Sequence, residues 1–191
     1  MAVYSKLLFS AGGGIISTKQ QAKQVENTAS ILIGLGGTGI DCIKTIKAAV
    51  RERLEPDDPN AYVAEYKHIQ FLGVDIDETS FRWTRDGSQR PLDDTEIFSI
   101  ADPQIAANLA AIKMRPELKW LNYEELQFLQ FENYVPVGCR QIGRYMLMDK
   151  SNKFMDEVGT LIRTAKSGLT NPTVNIHIFS GLSGGTGSGT F

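Results

Sequence analysis

The chain has 191 residues, 42% of them hydrophobic, and a net charge of −2. That is enough for one sizeable core and favours one globular domain over two. No run of Lys or Arg marks a footprint for nucleic acid or anionic lipid, and no apolar stretch approaches the roughly 20 residues that cross a bilayer.

The two cysteines, Cys42 and Cys139, are isolated, and the N-terminus lacks a signal-peptide core. Together these point to buried, reduced thiols in a cytoplasmic protein rather than a disulfide framework or a zinc site. Residues 1–29 carry Gly12-Gly13-Gly14 and a polar segment with little apolar periodicity, and read as an N-terminal extension. The domain itself is expected over residues 30–191.

The first strand is predicted at Ile31-Leu32-Ile33, followed by the turn Gly34-Leu35-Gly36-Gly37-Thr38-Gly39. From Gly39, Ile40, Ile43, Ile46, Val50 and Leu54 recur at three and four residues with Lys44, Lys47, Arg51 and Arg53 between them, which predicts an amphipathic helix ended by Pro56-Asp57-Asp58-Pro59. Ile69 to Val74 reads as a second buried strand ending at Asp75-Ile76-Asp77. Two carboxylates then stand at its carboxyl edge, where open parallel sheets bind ligands. Asp102-Pro103 is a cap and first-turn pair for a helix from Ile105 to Met114, and a third strand is expected within Phe131 to Val137.

A third glycine-bearing turn, Gly138 to Arg144, carries Arg140 and Arg144. A long helix is then expected from Tyr145, with Leu147, Phe154, Val158, Leu161, Ile162 and Ala165 on one face and Gly168 as a left-handed cap. The strand 174–179 leads into Gly181-Leu182-Ser183-Gly184-Gly185-Thr186-Gly187-Ser188-Gly189-Thr190. Strand and helix alternate, so the predicted fold is α/β, a doubly wound parallel sheet covered on both faces. His68 and His177 lack Cys, His or acidic neighbours at ligand spacing and read as structural.

Glycine lets backbone N–H groups crowd around an anion, so the two Gly-rich strand-to-helix turns describe phosphate cradles. A Walker P-loop needs Lys where the terminal turn has Thr. A dinucleotide-binding Rossmann unit could open at Gly34, Gly36 and Gly39, using NAD or an adenine nucleotide, although its ribose-binding acid should lie about 20 residues beyond the turn and Asp75 comes much later. The Gly-Leu-Gly-Gly turn with Val74-Asp75-Ile76-Asp77 also resembles the ubiquitin-activating-like adenylating enzymes, which leave the terminal cradle unexplained.

Ser183-Gly184-Gly185-Thr186-Gly187-Ser188-Gly189 closely resembles the signature loop of the tubulin and FtsZ superfamily, departing from it only at Ser183. By that resemblance Gly34 to Gly39 matches the family's first nucleotide loop, Asp75 and Asp77 its second, and Gly138 to Arg144 the third, whose sequence is closer to divergent bacterial tubulin-like proteins. The resemblance implies a GTP-binding protein with Mg²⁺, contacting nucleotide through Gly36, Gly37, Thr38, Asp75, Asp77, Arg140, Arg144, Gly184, Gly185, Thr186, Gly187 and Ser188. Arg140 or Arg144 would fork the terminal phosphate.

It also implies head-to-tail self-association into filaments and GTP hydrolysis in the full-length form, or a non-catalytic scaffold that binds nucleotide to control assembly. The family's base-reading asparagines, central helix and acidic catalytic loop come from later segments. The chain is therefore expected to be the N-terminal part of such a GTPase, a fragment or a truncated product, incomplete at its C-terminus and with no catalytic residue of its own.

Overall fold

A computed structural model describes residues 27–54, 67–84, 87, 91–102, 104–105, 111–126, 131–132, 135–136 and 139–191. Apart from residues 27–29, the expected extension lies outside these. The apolar runs form the inner strands, β1 (Thr28–Leu35) and β2 (Ile69–Asp75), which pair in parallel from Ser30 opposite Ile69 to Leu35 opposite Val74. With β3 (Ile97–Ser99) and a last strand over Thr173–Ser180 they build a four-stranded parallel sheet, the last strand beside β1 and β3 beside β2.

Between β1 and β2 runs α1 (Gly36–Leu54). The short α2 (Thr79–Arg82) follows β2, and α3 (Tyr123–Leu126) lies further on. The residues expected to hold the third parallel strand give instead β4 (Phe131–Glu132) and β5 (Val135–Pro136), paired antiparallel with each other in a separate sheet. Pro136 has no N–H to donate, which unfits it for an inner strand. The helix expected from Ile105 to Met114 is helical at Ile105 and over 111–113; residues 106–110 lie outside the described residues.

The single long helix expected from Tyr145 is two, α4 (Arg140–Asp149) and α5 (Ser151–Lys166), separated at Lys150, whose ψ of 11° leaves the helical path. The Lys150 ammonium donates to the carbonyls of Ser99 at 3.2 Å and Ala101 at 2.7 Å, which fixes the break against the end of β3. Gly168, at φ 83°, ends α5 as expected. The Ser180-ended strand, here β6, leads to the terminal helix α6 (Gly185–Thr190).

Side-chain alternation splits the core by face. Ile31, Ile33, Leu35, Leu72 and Val74 pack with Ile142, Met146, Val158 and Leu161 of α4 and α5, whereas Leu32 and Phe71 pack with Ile40 and Ile43 of α1, Phe81 and Leu92. Helices thus cover both faces, as a doubly wound sheet requires.

The spacing on α1 misplaces its lysines. Lys44 and Lys47 are only 2% and 3% exposed, while Cys42, expected to be buried, is exposed and Cys139 is half-buried. Lys47 pairs with Asp93 at 2.8 Å and with the buried Glu96. Both carboxylates belong to a capping box around the 3₁₀ turn Asp94–Glu96 that precedes β3.

Strand order carries the chain from β1 outward to β2 and β3 and then back to β6 on the other side of β1. The topology therefore reverses between β1 and β6, and a crevice opens beyond their carboxyl ends, where Leu35 stands opposite Ser180.

Candidate functional site

Two strand-to-helix turns meet at this crevice. In the first, β1 passes directly into α1 at Gly36, which sits at φ 69°, a conformation L side chains rarely hold. A Cβ on Gly36 would also lie 2.7 Å from the Gly187 nitrogen of the other turn. The helix therefore starts at Gly36, three residues before the sequence suggests.

In the second turn Gly184 caps α6 at φ −80° and ψ 166°, without a side-chain cap. These are ordinary extended angles that any residue adopts. A Cβ there would meet no heavy atom of the described residues within 4 Å. Gly184 therefore does not need glycine-only angles, and the open space beside it is what sets the position apart.

The turns enclose a cleft of about 440 Å³. Gly36, Gly37, Thr38 and Asp41 of α1 line it, with Asp75 and Asp77 after β2, Thr79, Ser80, Trp83 and Thr84 around α2, and Gly181 and Gly184 to Gly187. Of the residues singled out from sequence, Gly36, Gly37, Thr38, Asp75, Asp77, Gly184, Gly185, Thr186 and Gly187 come together here, whereas Ser188, Arg140 and Arg144 do not line the cleft. The Ser188 hydroxyl donates to the Gly184 carbonyl within α6.

From Arg140 onward the third glycine-bearing turn is helix. Arg140 donates to the Leu182 carbonyl at 3.1 Å, and Arg144, one turn later, stacks on Trp120 at 4.7 Å. Between them Gly143 brings α4 onto α6, since a Cβ there would stand 2.7 Å from the Gly185 carbonyl oxygen.

The two carboxylates after β2 differ in environment. Asp77 is exposed and accepts from the Thr79 N–H at 2.9 Å and the Thr79 hydroxyl at 2.8 Å, an Asx turn that starts α2. Asp75 is 5% exposed. Burial raises its pKa, and its polar neighbours Thr186, Ser80, Asp77 and Ile76, the last donating its N–H at 2.7 Å, partly offset that rise; the Ser80 hydroxyl donates to the Asp77 carbonyl at 2.7 Å.

Behind the same wall the Lys44 ammonium donates to the carbonyls of Ser80 at 2.5 Å and Trp83 at 3.0 Å. Burial lowers its pKa, and the nearby Asp41 charge works against that shift.

No Lys or Arg stands among the residues lining the cleft. An anion there would meet helix N-termini, backbone N–H groups and hydroxyls. Among the described residues no group of three His, Cys, Asp or Glu side chains converges as a metal site, and no helix is long and apolar enough to cross a membrane.

The family model described as tubulin-like matches residues 31–191. The chain belongs to the tubulin-like family. No curated protein and no solved structure matches it. In this tubulin-like chain the glycine turns after β1 and β6 are the parts that sequence motifs identify. Asp41, Thr79, Ser80, Trp83 and Thr84 of the cleft escape that reading, although the Asp77-x-Thr79 pattern signals a turn that folds its successors back toward the strand end.

Proposed function

We propose that the chain binds a guanine nucleotide as its Mg²⁺ complex in the crevice between β1 and β6. The convergence of two glycine-led helix N-termini on one cleft carries this reading. The backbone around Gly36, Gly37 and Gly184 to Gly187, with the hydroxyls of Thr38 and Thr186, meets the phosphates.

A triphosphate brings several negative charges into a cleft lined by three aspartates and no cationic side chain. Mg²⁺ supplies the missing positive charge, and Asp41 and Asp77 are the side chains that would hold it, through its water. The space around Gly184, which a Cβ would fill, fits such a ligand. Membership of the tubulin-like family supports extending this reading to a preference for guanine and, in the full-length form, to self-association into filaments and GTP hydrolysis.

The experiment is titration of a fluorescent GTP analogue into the chain, with Mg²⁺ and with EDTA, competed by GTP, ATP and NAD. GTP should compete best, and removing Mg²⁺ should weaken binding by roughly tenfold or more, about the worth of one charge-assisted contact. Displacement by NAD and not by GTP would replace this reading with the Rossmann-type alternative.

A further inference from the structure

One stretch of the cleft lining, from Thr79 to Thr84, is built on α2, a single turn of helix that needs support from outside to hold its shape in water. Three contacts supply that support. Asp77 starts the turn by accepting from the Thr79 N–H, Phe81 is buried in one apolar cluster with Ile40 and Ile43 of α1, and the Lys44 ammonium donates to the carbonyls of Ser80 at 2.5 Å and Trp83 at 3.0 Å. The last carbonyls of a helix have no partner within it, and a cation beside them meets the negative end of the helix dipole.

Lys44 is buried and does not itself line the cleft. It belongs to α1, whose Gly36, Gly37, Thr38 and Asp41 are a second stretch of the lining. One buried side chain thus ties two parts of the cleft to each other. Its neighbour Lys47, buried as deeply, bonds instead to Asp93 and Glu96, neither of which lines the cleft.

We infer that Lys44 is a positioning residue of the cleft: it caps the carbonyl end of α2 and so fixes Thr79, Ser80, Trp83 and Thr84 relative to the glycine turn that opens α1. The inference deepens the nucleotide-binding reading, on which its effect on affinity rests; the support of α2 exists without ligand.

Lys44→Met, Lys44→Gln and Lys47→Met variants of the whole chain test it. Methionine keeps an unbranched apolar side chain and removes the ammonium donors, whereas glutamine keeps N–H donors at a shorter reach. Amide hydrogen exchange without nucleotide should quicken about tenfold or more over residues 79–84 in Lys44→Met, the scale of a lost charge-assisted bond. In Lys47→Met the same residues should stay within about twofold of the parent.

With the fluorescent GTP analogue and Mg²⁺, Kd should rise about fivefold in Lys44→Met, as for a wall that holds its binding position about one fifth of the time. Lys47→Met should leave Kd within about twofold, because the ammonium it removes serves other partners. Unchanged exchange at residues 79–84 in Lys44→Met would overturn the inference. So would faster exchange there with unchanged affinity, or equal loss of affinity in Lys44→Met and Lys47→Met, which would trace the effect to general stability.

If Lys44→Met does not fold, Lys44→Gln decides: faster exchange confined to residues 79–84 with weaker binding supports the role, and exchange raised evenly over the chain refutes it. If the parent chain binds no GTP analogue, the nucleotide reading fails while the exchange arm still judges the support of α2.

Discussion

The two glycine turns at the crevice have nearly the same composition and the same strand-to-helix setting, yet the fold uses their glycines differently. After β1 the turn is packed: Gly36 holds a left-handed φ and lies against Gly187, and Gly39 lies so close to the Phe179 carbonyl that no Cβ fits between them. After β6 the turn opens at Gly184, where the backbone is ordinary and the space is empty. Gly36 and Gly39 are glycine because the protein closes upon itself there, as it also does at Gly187, whereas Gly184 faces open space. A glycine in a motif of similar letters can therefore be required by packing at one position and leave open space at another.

The contrast is sharpest in matched substitutions. Gly36→Val should destabilise by about 3 kcal/mol or more, from the forced φ and the collision with Gly187. Gly184→Val should stay within about 0.5 kcal/mol of the parent, as an exposed loop position does, and still lose nucleotide affinity by roughly tenfold or more. Urea unfolding beside nucleotide titration measures both. Equal destabilisation by the two would erase the distinction.

A smaller effect is expected behind the terminal turn. Arg140 supports the Leu182 carbonyl and Arg144 rests on Trp120, so the double variant Arg140→Ala, Arg144→Ala should weaken GTP and GDP together, about threefold, the worth of one ordinary hydrogen bond. A fall in the GTP-to-GDP preference would mean that the guanidinium groups reach a terminal phosphate, as the sequence motif implies.

The smallest effect concerns pH. Because burial raises the Asp75 pKa, the folded chain binds this proton more readily than the unfolded chain. The associated stability is present below the ordinary carboxylate range and is lost as pH rises through the raised value. Stability measured by urea unfolding should therefore fall less between about pH 4 and pH 7 in Asp75→Asn than in the parent. Identical slopes would show that Asp75 is not desolvated.

Much of this arrangement is legible in the sequence, for identifiable reasons. The strands β1, β2 and β6 are apolar runs ending at glycine or aspartate, and the helix after β1 shows its period in Ile40, Ile43 and Val50. What escapes depends on partners distant along the chain. Lys44 and Lys47 look like solvated charges because the groups that satisfy them, around Ser80 and Glu96, lie 36 and 49 residues away. The strand β3 has only three residues, too few for a period of two to register, and Lys150 breaks a helical pattern that its neighbours continue. Of the candidate site, the glycines and Asp75 follow from motif, whereas the wall from Thr79 to Thr84 follows only from the way α2 folds back.

The contact of α4 with α6 is closest at two glycines, one on each helix. A Cβ on Gly143 would strike the Gly185 carbonyl, and one on Gly189 would strike the Arg140 carbonyl, so the helices meet main chain to main chain. Packed side chains can absorb a displacement by changing rotamer, and bare peptide planes have no such slack. Main-chain contact of this kind ties the placement of α6 to that of α4, the helix that carries Arg144 and its stacking on Trp120.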